Sequence, residues 1–187
     1  MELFASLWLP IVLSAVLAFI ASSIVHMALP LHRGDFRKMP AEKSILAAMR
    51  ENGIRPGTYM FPYAAALKDY NSPDMIEKFK EGPVGLMTIS PRNKPGMGKE
   101  LFLWFLFQLF VSVIVAYIAA LALGRGEEYR VVFRVTSATA FLAYVTPALY
   151  ESVWKSQRWG ITVKFIIDAL VYALLIAGIF GWLWPGV

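Results

Sequence analysis

Polar side chains inside apolar stretches are the first candidates for chemistry in this sequence. Asp168 lies within the apolar stretch 161–184. A charged side chain at the centre of a membrane costs about 2.5–3.5 kcal/mol, so its presence predicts a functional role. At about 1.5 Å of rise per helical residue, polar residues of four such stretches come to a similar depth. The predicted binding residues in this layer are Asp168, Gln108, Tyr144, His26 and Ser22.

This polar layer has two interpretations. In the first, Asp168 takes up and releases a proton while Gln108, Tyr144 and His26 orient a ligand or water. In the second, Lys164 pairs with Asp168 one helical turn away, and the other polar groups form hydrogen bonds between helices. Such bonds contribute only about 0.6 kcal/mol each and are common in membrane proteins.

The two histidines, His26 and His32, are the candidates for haem or metal ligation. They are six residues apart with Pro30 between them, a spacing that places them neither on one helix face nor on opposite walls of a bundle. The chain has no cysteine, and no HExxH spacing occurs. We therefore expect no catalytic constellation, no metal site and no cofactor.

The composition indicates what must position these residues. Of the 187 residues, 58% are apolar and 17% are charged, against about 25% charged in an average soluble domain. Since a spanning helix needs about 20 mostly apolar residues, we predict an all-α membrane protein with four transmembrane helices in a bundle, with three as the alternative. The windows are Leu7 to Leu29, Leu101 to Leu123, Val131 to Leu149 and Ile161 to Trp184.

The first window is expected to be a retained helix and not a cleaved signal peptide. The residues before it include Glu2 and no basic residue, whereas a secretory signal begins with positive charge. Its apolar run also exceeds the usual 7 to 15 residues.

The segment 30–100 between the first two windows is predicted to be a partly helical loop of roughly 70 residues. Proline near the start and glycine after the end predict short helices near 41–52 and 73–80. Val84 to Ile89 has β-leaning composition, but one short strand cannot make a stable sheet.

Basic residues predict the orientation. The positive-inside rule places the loop 30–100 in the cytoplasm and both termini outside a bacterial inner membrane. The flanking residues that carry this argument, and that we expect to contact lipid headgroups, are Arg33, Arg37, Lys38, Arg92, Lys94 and Lys99. Acidic residues are interspersed with the basic ones, which argues against binding of nucleic acid.

Three functional hypotheses remain open. The leading one is a non-enzymatic accessory, assembly or scaffold protein of the inner membrane. It would offer its small-residue helix faces and its basic loop to a membrane-protein partner, a second copy of itself or anionic membrane lipid. The second is a small proton-linked transporter or channel centred on Asp168. The third is a membrane-embedded enzyme acting on lipid, for which His26, His32, Asp35 and Glu151 are the available acids and histidines near the cytoplasmic boundary.

Overall fold

The computed structural model describes residues 2–91 and 95–186, and it is mostly helical. The α-helices of the described chain are α1 (Glu2–Ser6), α2 (Trp8–Ser23), α3 (Glu42–Glu51), α4 (Pro73–Glu81), α5 (Gly98–Ala122), α6 (Tyr129–Lys155) and α7 (Trp159–Trp182). The strands are β1 (Gly57–Phe61) and β2 (Gly85–Ile89).

Within the described residues, four helices are long and apolar enough to cross a membrane: Trp8–Ala28, Gly98–Ala122, Tyr129–Lys155 and Trp159–Trp182. They agree with the four predicted windows, as expected of an all-α membrane protein. The third of these long helices, α6, continues through Pro147 to Lys155, six residues past the predicted end at Leu149. It ends at Ser156, whose positive φ of 57° gives a left-handed helix end.

The described residues of Met1–Phe36 and Met97–Val187 form one compact unit. In this unit α2 packs against α5 and α7, and α6 packs against the same two helices. Small residues allow the close approach of helices, and Ser14, Ala18 and Ser22 on α2 are all buried. The rest of the core is apolar and includes Val115, Val132, Ile176 and Phe180.

Residues Arg37–Gly96 form the second compact unit. Its helices α3 and α4 lie within one residue of the bounds that the sequence predicts. The Ser72 hydroxyl accepts a hydrogen bond from the Met75 backbone amide, and Pro73 follows Ser72, so α4 begins as its sequence indicates.

The same unit corrects one expectation about strands. Val84 to Ile89 does not remain unpaired, because β2 pairs antiparallel with β1, with Gly57 opposite Ile89 and Phe61 opposite Gly85. The partner strand lies more than twenty residues earlier in the chain, immediately before Pro62. Local composition carries no information about a pairing at that distance.

Candidate functional site

The candidate site begins where the first membrane-type helix ends. After α2 the chain makes a wider π-helical turn over Ile24–Ala28, in which the Leu29 amide donates to Ile24 O at 3.0 Å. Pro30 biases the preceding residue away from helix, and Leu29 is extended with ψ of 150°. A short 3₁₀ turn over Pro30–His32 then returns the chain toward the helix that it has just left.

This return brings the two histidines together, contrary to what their spacing predicts. The imidazole rings of His26 and His32 are stacked, with centroids 4.2 Å apart and planes 5° from parallel. The five residues between them do not form one continuous helix, because the helix breaks at Leu29 and Pro30 and the chain then turns back.

Asp168 of α7 lies against both rings. His32 Nε2 is 2.9 Å from Asp168 Oδ2, and His26 Nε2 is 3.7 Å from the same oxygen. The Asp168 side chain is 4% exposed and that of His32 is 9% exposed, while His26 is 35% exposed. Ligand atoms of these three residues all lie within 4.8 Å of one another.

The other ring nitrogen of each histidine also has a partner. His26 Nδ1 lies 3.0 Å from the backbone oxygen of Ser22. Because a carbonyl oxygen can only accept, Nδ1 of His26 carries the hydrogen. His32 Nδ1 lies 2.6 Å from Asp35 Oδ2.

Two basic side chains, Lys164 of α7 and Arg158 just before that helix, hold residues 31–35 in place. Lys164 Nζ donates to Asp35 Oδ1 at 2.6 Å and to Leu31 O at 2.7 Å. Arg158 Nη2 donates to the backbone oxygens of Gly34 and Asp35. The expected pairing of Lys164 with Asp168 is therefore wrong, because Asp35 and Leu31 lie closer to its ammonium group.

Asp35 is held as a carboxylate by these neighbours. Burial by itself raises the pKa of Asp35, but the hydrogen bonds from Lys164 and His32, with their positive charge, lower it further than burial raises it. The net effect is a pKa below the usual value for aspartate. We refer to His26, His32, Asp35, Lys164 and Asp168 together as the polar cluster.

A cavity of about 500 Å³ opens beside His26. Its walls are mainly apolar, and Glu100 and the hydroxyl-bearing Ser22 and Ser23 also line it. The apolar lining includes Phe36, Leu101, Trp104 and Phe165. His26 is the member of the polar cluster that lines this cavity. Its side chain is also more exposed than those of His32 and Asp168.

A second polar group lies among α5, α6 and α7. The Tyr144 hydroxyl donates to Gln108 Oε1, and we call these two residues the tyrosine–glutamine pair. The Tyr144 ring also meets the ring of Tyr172 edge-on at 5.4 Å. Among the described residues, Gln108 Nε2 and the Tyr172 hydroxyl are buried without a hydrogen-bond partner in the protein.

The predicted polar layer thus separates into two groups. His26 and Asp168 meet in the polar cluster, and Ser22 adjoins it through its backbone oxygen while its hydroxyl accepts from Trp104 Nε1 at 2.8 Å. Gln108 and Tyr144 pair with each other. His32 and Asp35 were not placed in the layer, although their separation of three residues is a local signal for a contact.

Six basic residues are expected to contact lipid headgroups, and those that the structure describes are accessible for this role. Arg33, Arg37, Lys38 and Lys99 are exposed. Arg92 and Lys94 lie outside the described residues.

No protein-family model, curated protein or solved structure matches this chain. The class to which the fold points is that of helical membrane proteins, through the four long apolar helices of the described chain.

Proposed function

We propose that this protein is a four-helix bundle of a bacterial inner membrane that binds an amphiphile bearing hydroxyl groups. The hydrocarbon chain would lie in the cavity, and the headgroup would meet His26. The observation that carries the proposal is the cavity itself, where an apolar wall of Leu101, Trp104 and Phe165 meets a partly exposed imidazole. A volume of about 500 Å³ is within the usual range of roughly 300–1,000 Å³ for small-ligand sites.

The nature of the headgroup follows from the polar atoms of the cavity. Since His26 Nδ1 carries the hydrogen that Ser22 O accepts, the Nε2 atom of a neutral ring is a hydrogen-bond acceptor. Acceptors favour hydroxyl donors and disfavour an anionic headgroup.

The membrane setting of the proposal follows from charge. Exposed Arg33, Arg37, Lys38 and Lys99 flank the first two long helices, which supports a cytoplasmic loop and external termini by the positive-inside rule. The polar cluster would then lie at the cytoplasmic end of α2 and α7. Ligand would enter from the inner leaflet.

The scaffold hypothesis receives less support from the helix faces. Ser14, Ala18 and Ser22 on α2, with Thr136 and Ala140 on α6, are buried within the chain itself. A face already packed internally does not offer a surface to a partner. The lipid-modifying hypothesis, by contrast, requires a site of the kind described here.

A proton pathway centred on Asp168 also receives less support. Toward the far ends of the helices the described core is formed by side chains such as Leu7, Ile176 and Phe180, all fully buried. These side chains do not carry protons, so a pathway would have to cross an apolar layer.

The proposal is tested by filling the cavity. In Leu101→Trp the indole would occupy the cavity, and Leu121→Trp is the matched control because Leu121 lies on the same helix and is 70% exposed. We expect organic extraction and mass spectrometry of the purified protein to find a hydroxyl-bearing amphiphile with the native chain and Leu121→Trp. Leu101→Trp should lose it while keeping the native melting temperature.

The headgroup contact has its own test. His26→Phe should keep the apolar volume but weaken binding about tenfold, the equivalent of one hydrogen bond. Competition by diacylglycerol or by a long-chain polyprenol in mixed micelles identifies which source of the hydroxyl is bound. Retention of the amphiphile by Leu101→Trp, or the absence of any bound amphiphile in the native protein, would contradict the proposal.

A further inference from the structure

We infer that the polar cluster binds one divalent transition-metal ion, held by His26 Nε2, His32 Nε2 and the Asp168 carboxylate. This inference deepens the proposed function, because the ion would face the cavity in which the amphiphile is bound. Two imidazoles and one carboxylate are a common set of protein ligands for Zn²⁺. The chain has no cysteine, so the donors are nitrogen and oxygen, which also suit Fe²⁺ and Mn²⁺.

The orientation of both rings is the first argument. Histidines that bind metals almost always donate the hydrogen of the other ring nitrogen to a carboxylate or a backbone carbonyl. Both partners are present here, because Asp35 Oδ2 lies 2.6 Å from His32 Nδ1 and Ser22 O lies 3.0 Å from His26 Nδ1. Each ring therefore directs its Nε2 atom at Asp168.

The spacing of the donor atoms is the second argument. Tetrahedral Zn²⁺ with bonds of 2.0–2.2 Å separates neighbouring donor atoms by about 3.4 Å. The two Nε2 atoms lie 2.9 and 3.7 Å from Asp168 Oδ2. These two distances bracket the required separation, and ligand atoms of all three residues lie within 4.8 Å of one another.

The stacking of the rings sets the adjustment that the ion would require. An imidazole nitrogen binds a metal in the plane of its ring, and the two ring planes are 5° from parallel with centroids 4.2 Å apart. One ring would therefore have to turn when the ion binds. The His26 side chain, which is 35% exposed and lies beside the cavity, has room to do so.

The position of the ion would also leave room for the amphiphile. Catalytic zinc sites have three protein ligands and one open position. The His26 side chain is 35% exposed and lines the cavity, so the open position would lie on that side. With Nε2 of His26 bound to the ion, the hydroxyl oxygen of the amphiphile would be the fourth ligand instead of donating a hydrogen bond to that nitrogen.

The test measures metal binding by the full chain in detergent. After treatment with a chelator and its removal, we expect the native protein to bind one equivalent of Zn²⁺, and Co²⁺ in its place to give the visible absorption of a four-coordinate site. His32→Ala and Asp168→Asn should abolish stoichiometric binding. His26→Gln, at the most exposed ligand, should weaken it at least 100-fold with an unchanged melting temperature.

Two further variants separate positioning from ligation. Asp35→Asn should weaken Zn²⁺ binding 10- to 100-fold without changing the stoichiometry, as expected for a residue that orients a ligand. Asp74→Asn is the matched control, since Asp74 is 73% exposed and pairs with Lys78 on α4. Its Zn²⁺ affinity should equal that of the native chain.

The inference is overturned if the folded native protein binds no Zn²⁺ or Co²⁺, or if His26→Gln and His32→Ala bind them as well as the native chain. The first result would mean that a proton on His32 takes the place of the ion. The proposed function is judged separately. If the chelated protein keeps the amphiphile and binds no metal, only the metal site fails; if it binds metal but no amphiphile is ever found, only the proposed function fails.

Discussion

The polar cluster and the tyrosine–glutamine pair place polar groups among apolar helices in two different ways. The cluster combines two carboxylates, two imidazoles and an ammonium group, and its side chains range from 4% to 35% exposed. The pair is neutral, and the Gln108 side chain is fully buried. Charged groups are tolerated where several partners converge and water is near, whereas a dry core admits only neutral hydrogen bonds.

The polar cluster and the tyrosine–glutamine pair also have different roles. A single neutral hydrogen bond between helices contributes little free energy and fixes how two helices meet. The cluster has one side chain, His26, turned toward a cavity, and this side chain packs against His32 and Asp168 of the same cluster. Substitutions of the buried members of the cluster should therefore have larger effects on stability than substitutions in the pair.

The largest effect is expected for His32→Ala. Its removal leaves the Asp35 and Asp168 carboxylates, 7% and 4% exposed, without the ring that joins them. Each of the two carboxylates would lose a hydrogen-bond partner, at a cost of about 1–3 kcal/mol for each. Thermal unfolding in detergent should show a greater loss than for His26→Ala, and equal losses would mean that His32 does not join the carboxylates.

The next largest effect is expected for Lys164→Met. This change leaves Asp35 Oδ1 and Leu31 O without the ammonium donor, at a cost of about 1–3 kcal/mol for unsatisfied acceptors. Lys155→Met is the matched control, because Lys155 forms an exposed pair with Glu151 within one helix. The control should unfold at the native temperature.

A smaller effect is expected for Tyr144→Phe in the second region. The Gln108 Oε1 atom would lose its donor inside the core, which should cost about 1–2 kcal/mol. Melting temperatures compared in one detergent measure the change. If Tyr144→Phe destabilises the protein more than His32→Ala, the ranking of the two regions is reversed.

The smallest effect is expected for Tyr172→Phe, which removes a buried hydroxyl without a protein partner. Deleting such a group releases its desolvation penalty, so stability should stay the same or rise slightly. The ring contact with Tyr144 at 5.4 Å would remain. A clear loss of stability would show that the hydroxyl has a partner such as an ordered water molecule.

The transmembrane-type helices could be predicted because the free energy of burying a side chain in an apolar phase is largely a property of that residue. Summed over about 20 residues it identifies a window without knowledge of the fold. The bounds of α3 and α4 were predictable for a related reason, since proline, serine and glycine act on the adjacent backbone.

The polar cluster could be predicted only in part. Depth along the helices placed Asp168 and His26 at one level, and the structure brings them within 3.7 Å. Depth alone could not separate Gln108 and Tyr144 from them, because it says nothing about which way a side chain points around a helix. The same limit led to the wrong partner for Lys164.

What the sequence by itself determined is therefore the set of helices and the presence of charge within them, because those depend on local composition. Tertiary structure alone decided that His32 returns to stack on His26, that Lys164 contacts Asp35 across 129 residues and that β1 pairs with β2. These contacts depend on the direction in which the chain leaves Leu29 and Pro30 and on the packing of α7 against α2. No short segment of the sequence contains that information, because these contacts join residues that come together only when the helices have packed.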